Sequence, residues 1–146
     1  MGIGEIQALT AEAASLLKEM VEIPSPSFSE DAVCTHICNW LTDKGIIYKR
    51  AGNNIISRLS WQKTSDGQRN EKPALMLCAH IDTVAPCEGY TFDPHNPDYL
   101  VAAEAIARSN AIMTTPADIV AGLGSNDDGA SVVSMIAAFR YFSDIQ

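Results

Sequence analysis

A layered α/β fold is what this sequence predicts, and three observations predict it. Apolar residues recur at helical spacing in two early segments, short β-branched or apolar runs follow between turn residues, and a glycine-rich cluster leads into a final apolar helix. With 146 residues, 47% of them hydrophobic, the chain can bury a core of ordinary size. The reading is one partial α/β unit over residues 1–146, with no second domain.

The first helix carries Leu9, Ala13, Leu16, Leu17 and Met20 on one stripe and ends at Pro24-Ser25-Pro26, where proline cannot continue it. A second helix starts with Ser29 as its N-cap, with Glu30 and Asp31 at its positive end. Val33, Ile37, Trp40 and Leu41 form its apolar face, and Gly45 is placed to end it. Residues 46–50 and 55–61 then read as two strands around Gly52-Asn53-Asn54, residues that a tight hairpin turn prefers. Residues 62–72 read as a surface loop. The apolar run from Ala74 to Ala79 reads as a short buried strand with Cys78 inside it. Tyr99 to Arg108 suits an alanine-rich helix that Met113-Thr114-Thr115-Pro116 keeps from extending further. Ile119-Val120, the cluster from Gly122 to Ser131 and the apolar run from Val132 to Phe139 read as a strand-to-helix turn.

A formal charge of −8 disfavours nucleic acid and acidic membrane surfaces, which need clustered Lys and Arg; the ten basic residues here are scattered. No basic start with an unbroken apolar stretch is present and no run reaches membrane-spanning length, so the expected location is cytoplasmic. Cys34-x-His36-x-Cys38 suggests a metal site at first sight. On a helix, however, Cys34 and Cys38 share a face while His36 lies well around from them, so these are expected to be buried structural thiols. Cys87 falls in the loop after Cys78, and the four cysteines form no disulfide framework. His95 has no spaced partner of the kind zinc sites show and reads as a surface residue.

The chemistry concentrates in two places. His80 and Asp82 stand two residues apart after the apolar run, so in extended backbone an imidazole and a carboxylate point the same way, as a metal-binding histidine and the acid that orients it do. In open α/β sheets, ligands gather beyond the carboxyl ends of strands. The second place is Gly122-Leu123-Gly124-Ser125-Asn126-Asp127-Asp128-Gly129. As a dinucleotide fingerprint it fails, because Asp127 stands where glycine is needed and would repel a pyrophosphate. As a calcium loop it fails too, with Gly124 and Met135 at the first and last ligand positions. Alone, Asn126, Asp127 and Asp128 would suit a helix cap. Beside His80 and Asp82, the cluster reads better as a metal ligand.

On these residues the chain resembles the zinc-dependent aminoacylase and carboxypeptidase family that includes acetylornithine deacetylase and succinyl-diaminopimelate desuccinylase. The resemblance runs nearly end to end: the opening helix with its Ile23-Pro24-Ser25 turn, Ser27 and Glu30, the stretch Gly52-Asn53-Asn54-Ile55, Ala79-His80-Ile81-Asp82-Thr83-Val84, and Gly122-x-Gly124-x-x-Asp127. It implies the N-terminal portion of a layered α/β/α zinc-hydrolase catalytic domain. By that likeness His80 binds one zinc, Asp82 is the catalytic residue that braces the His80 ring, and Asp127 bridges two zinc ions, with cobalt as a possible substitute. The resemblance also implies a cis peptide from Asp127 to Asp128. Where the family keeps a lysine and a glycine two and three places after the bridging aspartate, this chain has Gly129 and Ala130, closer to the acetylornithine deacetylase side.

The family's general base, an adjacent Glu-Glu pair, a further acid and a distant histidine are not found here: no glutamate follows Glu104 and no histidine follows His95. The expectation is therefore an incomplete fragment of a longer domain, inactive alone, whose lid or dimerisation domain is absent and whose full-length parent is a homodimer. The parent activity implied is hydrolysis of the amide of an N-acyl amino acid, such as N-acetylornithine in arginine biosynthesis. A metallodipeptidase or aminopeptidase with the same two-zinc chemistry is the alternative enzyme. A non-catalytic remnant or binding module is the alternative from another class. The segment from Glu88 to Ala121 is longer than in family members and reads equally as an insertion near the site mouth or as an altered, drifting segment of a truncated copy.

Overall fold

A computed structural model describes residues 2–59, 75–88, 92–93, 96–109 and 119–144. They form four helices and one hairpin: α1 (Ile3–Val21), α2 (Asp31–Asp43), β1 (Tyr48–Ala51), β2 (Asn54–Ser57), α3 (Pro97–Ser109) and α4 (Ala130–Asp144). Mixed helix and sheet is the composition the sequence predicts. The only sheet among the described residues is the two-stranded β1–β2 pair. None of the described helices is long and apolar enough to cross a membrane.

α1 begins where the Glu5 carboxylate accepts the backbone N–H of Gly2 at 2.9 Å, an acid at the positive end of the helix. Its expected stripe is buried only in the second half, at Leu16, Leu17, Met20 and Val21, while Ile3 and Ile6 face solvent. These four pack with Val33, Ile37 and Leu41 of α2, Ile46, and Val132 and Val133 of α4 into one core. Each fully buried Leu or Ile there contributes about 1.5–3 kcal/mol relative to exposure.

α2 keeps the predicted apolar face and also buries Cys34 and Cys38, as expected of structural thiols. His36 points elsewhere, 3.0 Å from Glu19 on α1 and off the line of a hydrogen bond. The expected Ser29 cap is corrected to Glu30, which precedes the helix without a side-chain capping bond. The reason is a turn just before it. Ser29 donates its N–H to the Pro26 carbonyl at 2.8 Å, Phe28 takes a φ of 71°, and the Glu30 carboxylate receives the Phe28 N–H at 2.6 Å. At its other end α2 closes as predicted: Gly45, with φ 69°, donates to Thr42, and Ile46 donates to Leu41, the paired bonds of a glycine C-terminus.

β1 and β2 pair antiparallel with Ala51 opposite Asn54, so the connection is the two residues Gly52-Asn53. The strands are shorter than the expected 46–50 and 55–61; Arg58 and Leu59 leave the ladder, and Trp61 lies outside the described residues. Arg50 latches the hairpin onto α2 through Asp31 and, at 2.8 Å, Thr35 Oγ1. α3 contains the predicted helix over Tyr99 to Arg108. The expected loop over 62–72, His95 and Met113 to Pro116 lie outside the described residues.

The expected buried strand at 74–79 is corrected. Leu75, Met76 and Leu77 are 77%, 84% and 53% exposed, Cys78 is exposed as well, and 75–79 form no strand. A strand needs a neighbour to take its backbone groups. Further on, the segment makes an isolated parallel bridge between Pro26 and Thr83. Likewise Ile119-Val120 lead into the glycine-rich turn without strand structure.

Candidate metal centre

Two chain segments far apart in sequence meet at the site. The first is the extended backbone through His80 and Asp82, fixed against the turn after α1: Thr83 donates its N–H to the Ser25 carbonyl at 2.8 Å, and Ser27 donates its own to the Thr83 carbonyl at 3.1 Å. The second is one wide turn, Ser125–Gly129, closed by Gly129 N–H donating to the Gly124 carbonyl at 3.0 Å. The Asp127–Asp128 peptide is cis, as the resemblance implies.

Glycine at 124 and 129 lets these pieces close up. A Cβ on Gly124 would lie 2.6 Å from Thr83 Cγ2, and one on Gly129 would lie 2.6 Å from the Gly124 carbonyl oxygen. The turn therefore sits directly on the His80 segment at one end and on α1 at the other. Between them opens a cleft with Leu17, Met20 and Val33 on its floor and His80, Asp82 and Asp127 among its polar lining.

The structure brings all three predicted residues together. His80 Nε2 is 3.1 Å from Asp127 Oδ1, and His80 Nδ1 is 3.2 Å from Asp82 Oδ1 and 3.1 Å from the Asp82 backbone carbonyl. Partial burial of the ring opposes its protonated form. The Asp82 carbonyl, the Asp127 hydrogen bond and the charges of both aspartates outweigh this and raise the His80 pKa above the ordinary histidine value. The Asp82 pKa is lowered, chiefly by the hydrogen bond from Ser27, against a smaller effect of burial and with help from His80.

The donor chemistry fits zinc. Bonds of about 2.0–2.1 Å at a tetrahedral angle set two ligand atoms about 3.3 Å apart, close to the Nε2–Oδ1 separation here. Nδ1 faces two acceptors and Nε2 one, Asp127 Oδ1, so a neutral ring is better held with its proton on Nδ1, and a metal between Nε2 and Asp127 would meet the Nε2 lone pair. The Asp127 side chain is 89% exposed, leaving its second oxygen open. Among the described residues no group of three or more His, Cys, Asp or Glu side chains is set to hold a metal ion; the two predicted ligand atoms that meet are His80 Nε2 and Asp127 Oδ1.

Linear sequence reasoning took Ser27 only as part of the opening turn. In the structure its hydroxyl donates to Asp82 Oδ2 at 2.6 Å, a contact spanning 55 positions that no local spacing signals. No family model matches the chain, and no curated protein matches it.

Proposed function

We propose that His80, Asp82 and Asp127 form one half of a zinc centre in an amide-hydrolysing enzyme with a layered α/β/α catalytic domain. The observation that supports this reading is the 3.1 Å between His80 Nε2 and Asp127 Oδ1, on a ring whose other nitrogen is occupied by Asp82. His80 and Asp127 would hold the metal. The chemistry zinc supplies in such a place is polarisation of an amide carbonyl and acidification of water. Asp82 keeps the proton on Nδ1 and so keeps Nε2 a donor.

The substrate class, an N-acyl amino acid such as N-acetylornithine, follows from the sequence resemblance, as does the dipeptidase alternative. No glutamate after Glu104 is present to act as the base, so the proposal gives these 146 residues metal binding without turnover. A metal-binding or remnant module without catalysis is the second reading, motivated by the lack of a glutamate after Glu104 and of a histidine after His95.

Zinc titration by calorimetry on the unchanged chain and its variants, with the His80 ring signals followed where that ring is present, tests the proposal alongside acetate release from N-acetylornithine. Zinc should shift the ring signals, His80→Ala and Asp127→Asn should each weaken binding, and acetate should not appear. Equal zinc binding by His80→Ala and the unchanged chain would overturn it.

A further inference from the structure

We infer that Ser27 is a positioning residue of this site, acting on His80 through Asp82; the inference deepens the proposed metal centre and rests on that reading for its purpose. The two oxygens of the Asp82 carboxylate are divided between two partners. Oδ1 faces His80 Nδ1 at 3.2 Å, and Oδ2 accepts the Ser27 hydroxyl at 2.6 Å. The last torsion of an aspartate is broad and nearly two-fold, so one contact alone leaves the carboxylate plane free to swing. A second contact on the opposite oxygen fixes the plane. Nδ1 then keeps two acceptors in fixed places, the Asp82 backbone carbonyl at 3.1 Å and Oδ1 at 3.2 Å, against the single acceptor Asp127 Oδ1 at Nε2.

The Ser27 hydroxyl is not needed to join the two segments. Ser27 N–H to the Thr83 carbonyl, at 3.1 Å, and Thr83 N–H to the Ser25 carbonyl, at 2.8 Å, already do so through backbone alone. Ser27 itself is exposed, so its removal leaves no buried hole. The turn that carries it is tied down from the other side, where Glu30 accepts the Phe28 N–H and, at 2.8 Å, the Asn53 side-chain amide. A rigid turn thus presents one hydroxyl to the outer oxygen of the acid that orients the histidine. Partners at this remove from a metal tune its affinity by about 10–100-fold, and a solvent-exposed serine one step further out belongs at the low end.

The test uses the full 146-residue chain, with the ring nitrogens of His80 read by nitrogen-15 NMR at a pH above the His80 titration, then with zinc added. The unchanged chain should show a single tautomer protonated at Nδ1. Ser27→Ala should draw the two nitrogen shifts toward each other, Ser27→Thr should restore them, and Ser27→Ala should add nothing once Asp82→Asn is present. Zinc affinity should fall about tenfold in Ser27→Ala and recover in Ser27→Thr. Ring signals of Ser27→Ala identical to the unchanged chain, or shifted equally in the Asp82→Asn background, would overturn the inference. Failure of the metal reading looks different: zinc then leaves the unchanged chain unaffected, or binds His80→Ala as well, while the metal-free ring signals still decide the role of Ser27.

Discussion

Gly129 sits so close to Leu17 that a methyl group on its Cα would fall 2.8 Å from Leu17 Cδ1. The same methyl would fall 2.6 Å from the Gly124 carbonyl oxygen, which accepts the Gly129 N–H and closes the turn carrying Asp127. Leu17 belongs to the core and can tilt, but the carbonyl can move only with the turn. Gly129→Ala should therefore cost about 1–3 kcal/mol, the range for forcing an extra carbon into a packed site. A urea denaturation midpoint equal to that of the unchanged chain would show that the turn yields freely, and that Asp127 is not rigidly placed.

Gly45 makes the opposite case. Nothing lies within 4 Å of where its Cβ would go, but its φ is 69°. Gly45→Ala should lose about 1–2 kcal/mol from backbone strain alone, and Gly45→Asn should recover part of it because asparagine tolerates this region. At Gly129, where sterics govern, asparagine should be worse than alanine. Thermal unfolding of the four variants separates the two mechanisms.

What could be read from the sequence divides along the same line between local and distant causes. Helical periodicity placed α1 and the apolar face of α2, and Gly45 and Gly52-Asn53 marked turns whose reasons lie within a few residues. The pairing of His80 with Asp82 was legible because two residues in extended backbone share a side. The buried strand at 74–79 was not, because burial depends on a neighbouring strand, and apolar composition says nothing of whether one is there. The Ser29 cap failed for a related reason: a turn held by Glu30 and Phe28 took over the start of the helix. Ser27 stands in the opening motif, but its role is not legible there because its partner is 55 positions away.

Glu12 joins three helical elements in one ionic cluster, receiving Lys44 Nζ at 2.9 Å from the end of α2 and Arg140 from α4. Its pKa is lowered, first by the Lys44 hydrogen bond, against burial and with the charges of Arg140 and Lys44. A carboxylate with a lowered folded-state value stabilises the fold fully above its unfolded value of about 4.3 and loses that contribution as pH falls toward the folded value. Stability of the unchanged chain should therefore decline as pH drops below about 4.3, and Glu12→Gln should flatten that part of the curve. A Glu12→Gln profile parallel to that of the unchanged chain across this window would exclude the cluster as a source of acid sensitivity.

Leu75, Met76 and Leu77 form a continuous exposed apolar segment with no strand partner among the described residues. Contiguous apolar surface of this kind attracts hydrophobic ligands or other chains, and an extended segment with unpaired backbone groups adds an edge to which a strand can attach. The chain should bind a hydrophobic dye at neutral pH and lose solubility as concentration rises. Replacing Met76, 84% exposed, with lysine should reduce both effects with little change in unfolding midpoint, because the side chain makes no core contact to lose. Dye fluorescence and light scattering measured on the same samples check this. Equal dye binding by Met76→Lys and the unchanged chain would place the responsible surface elsewhere, with the exposed Ile3 and Ile6 at the start of α1 as the next patch to substitute.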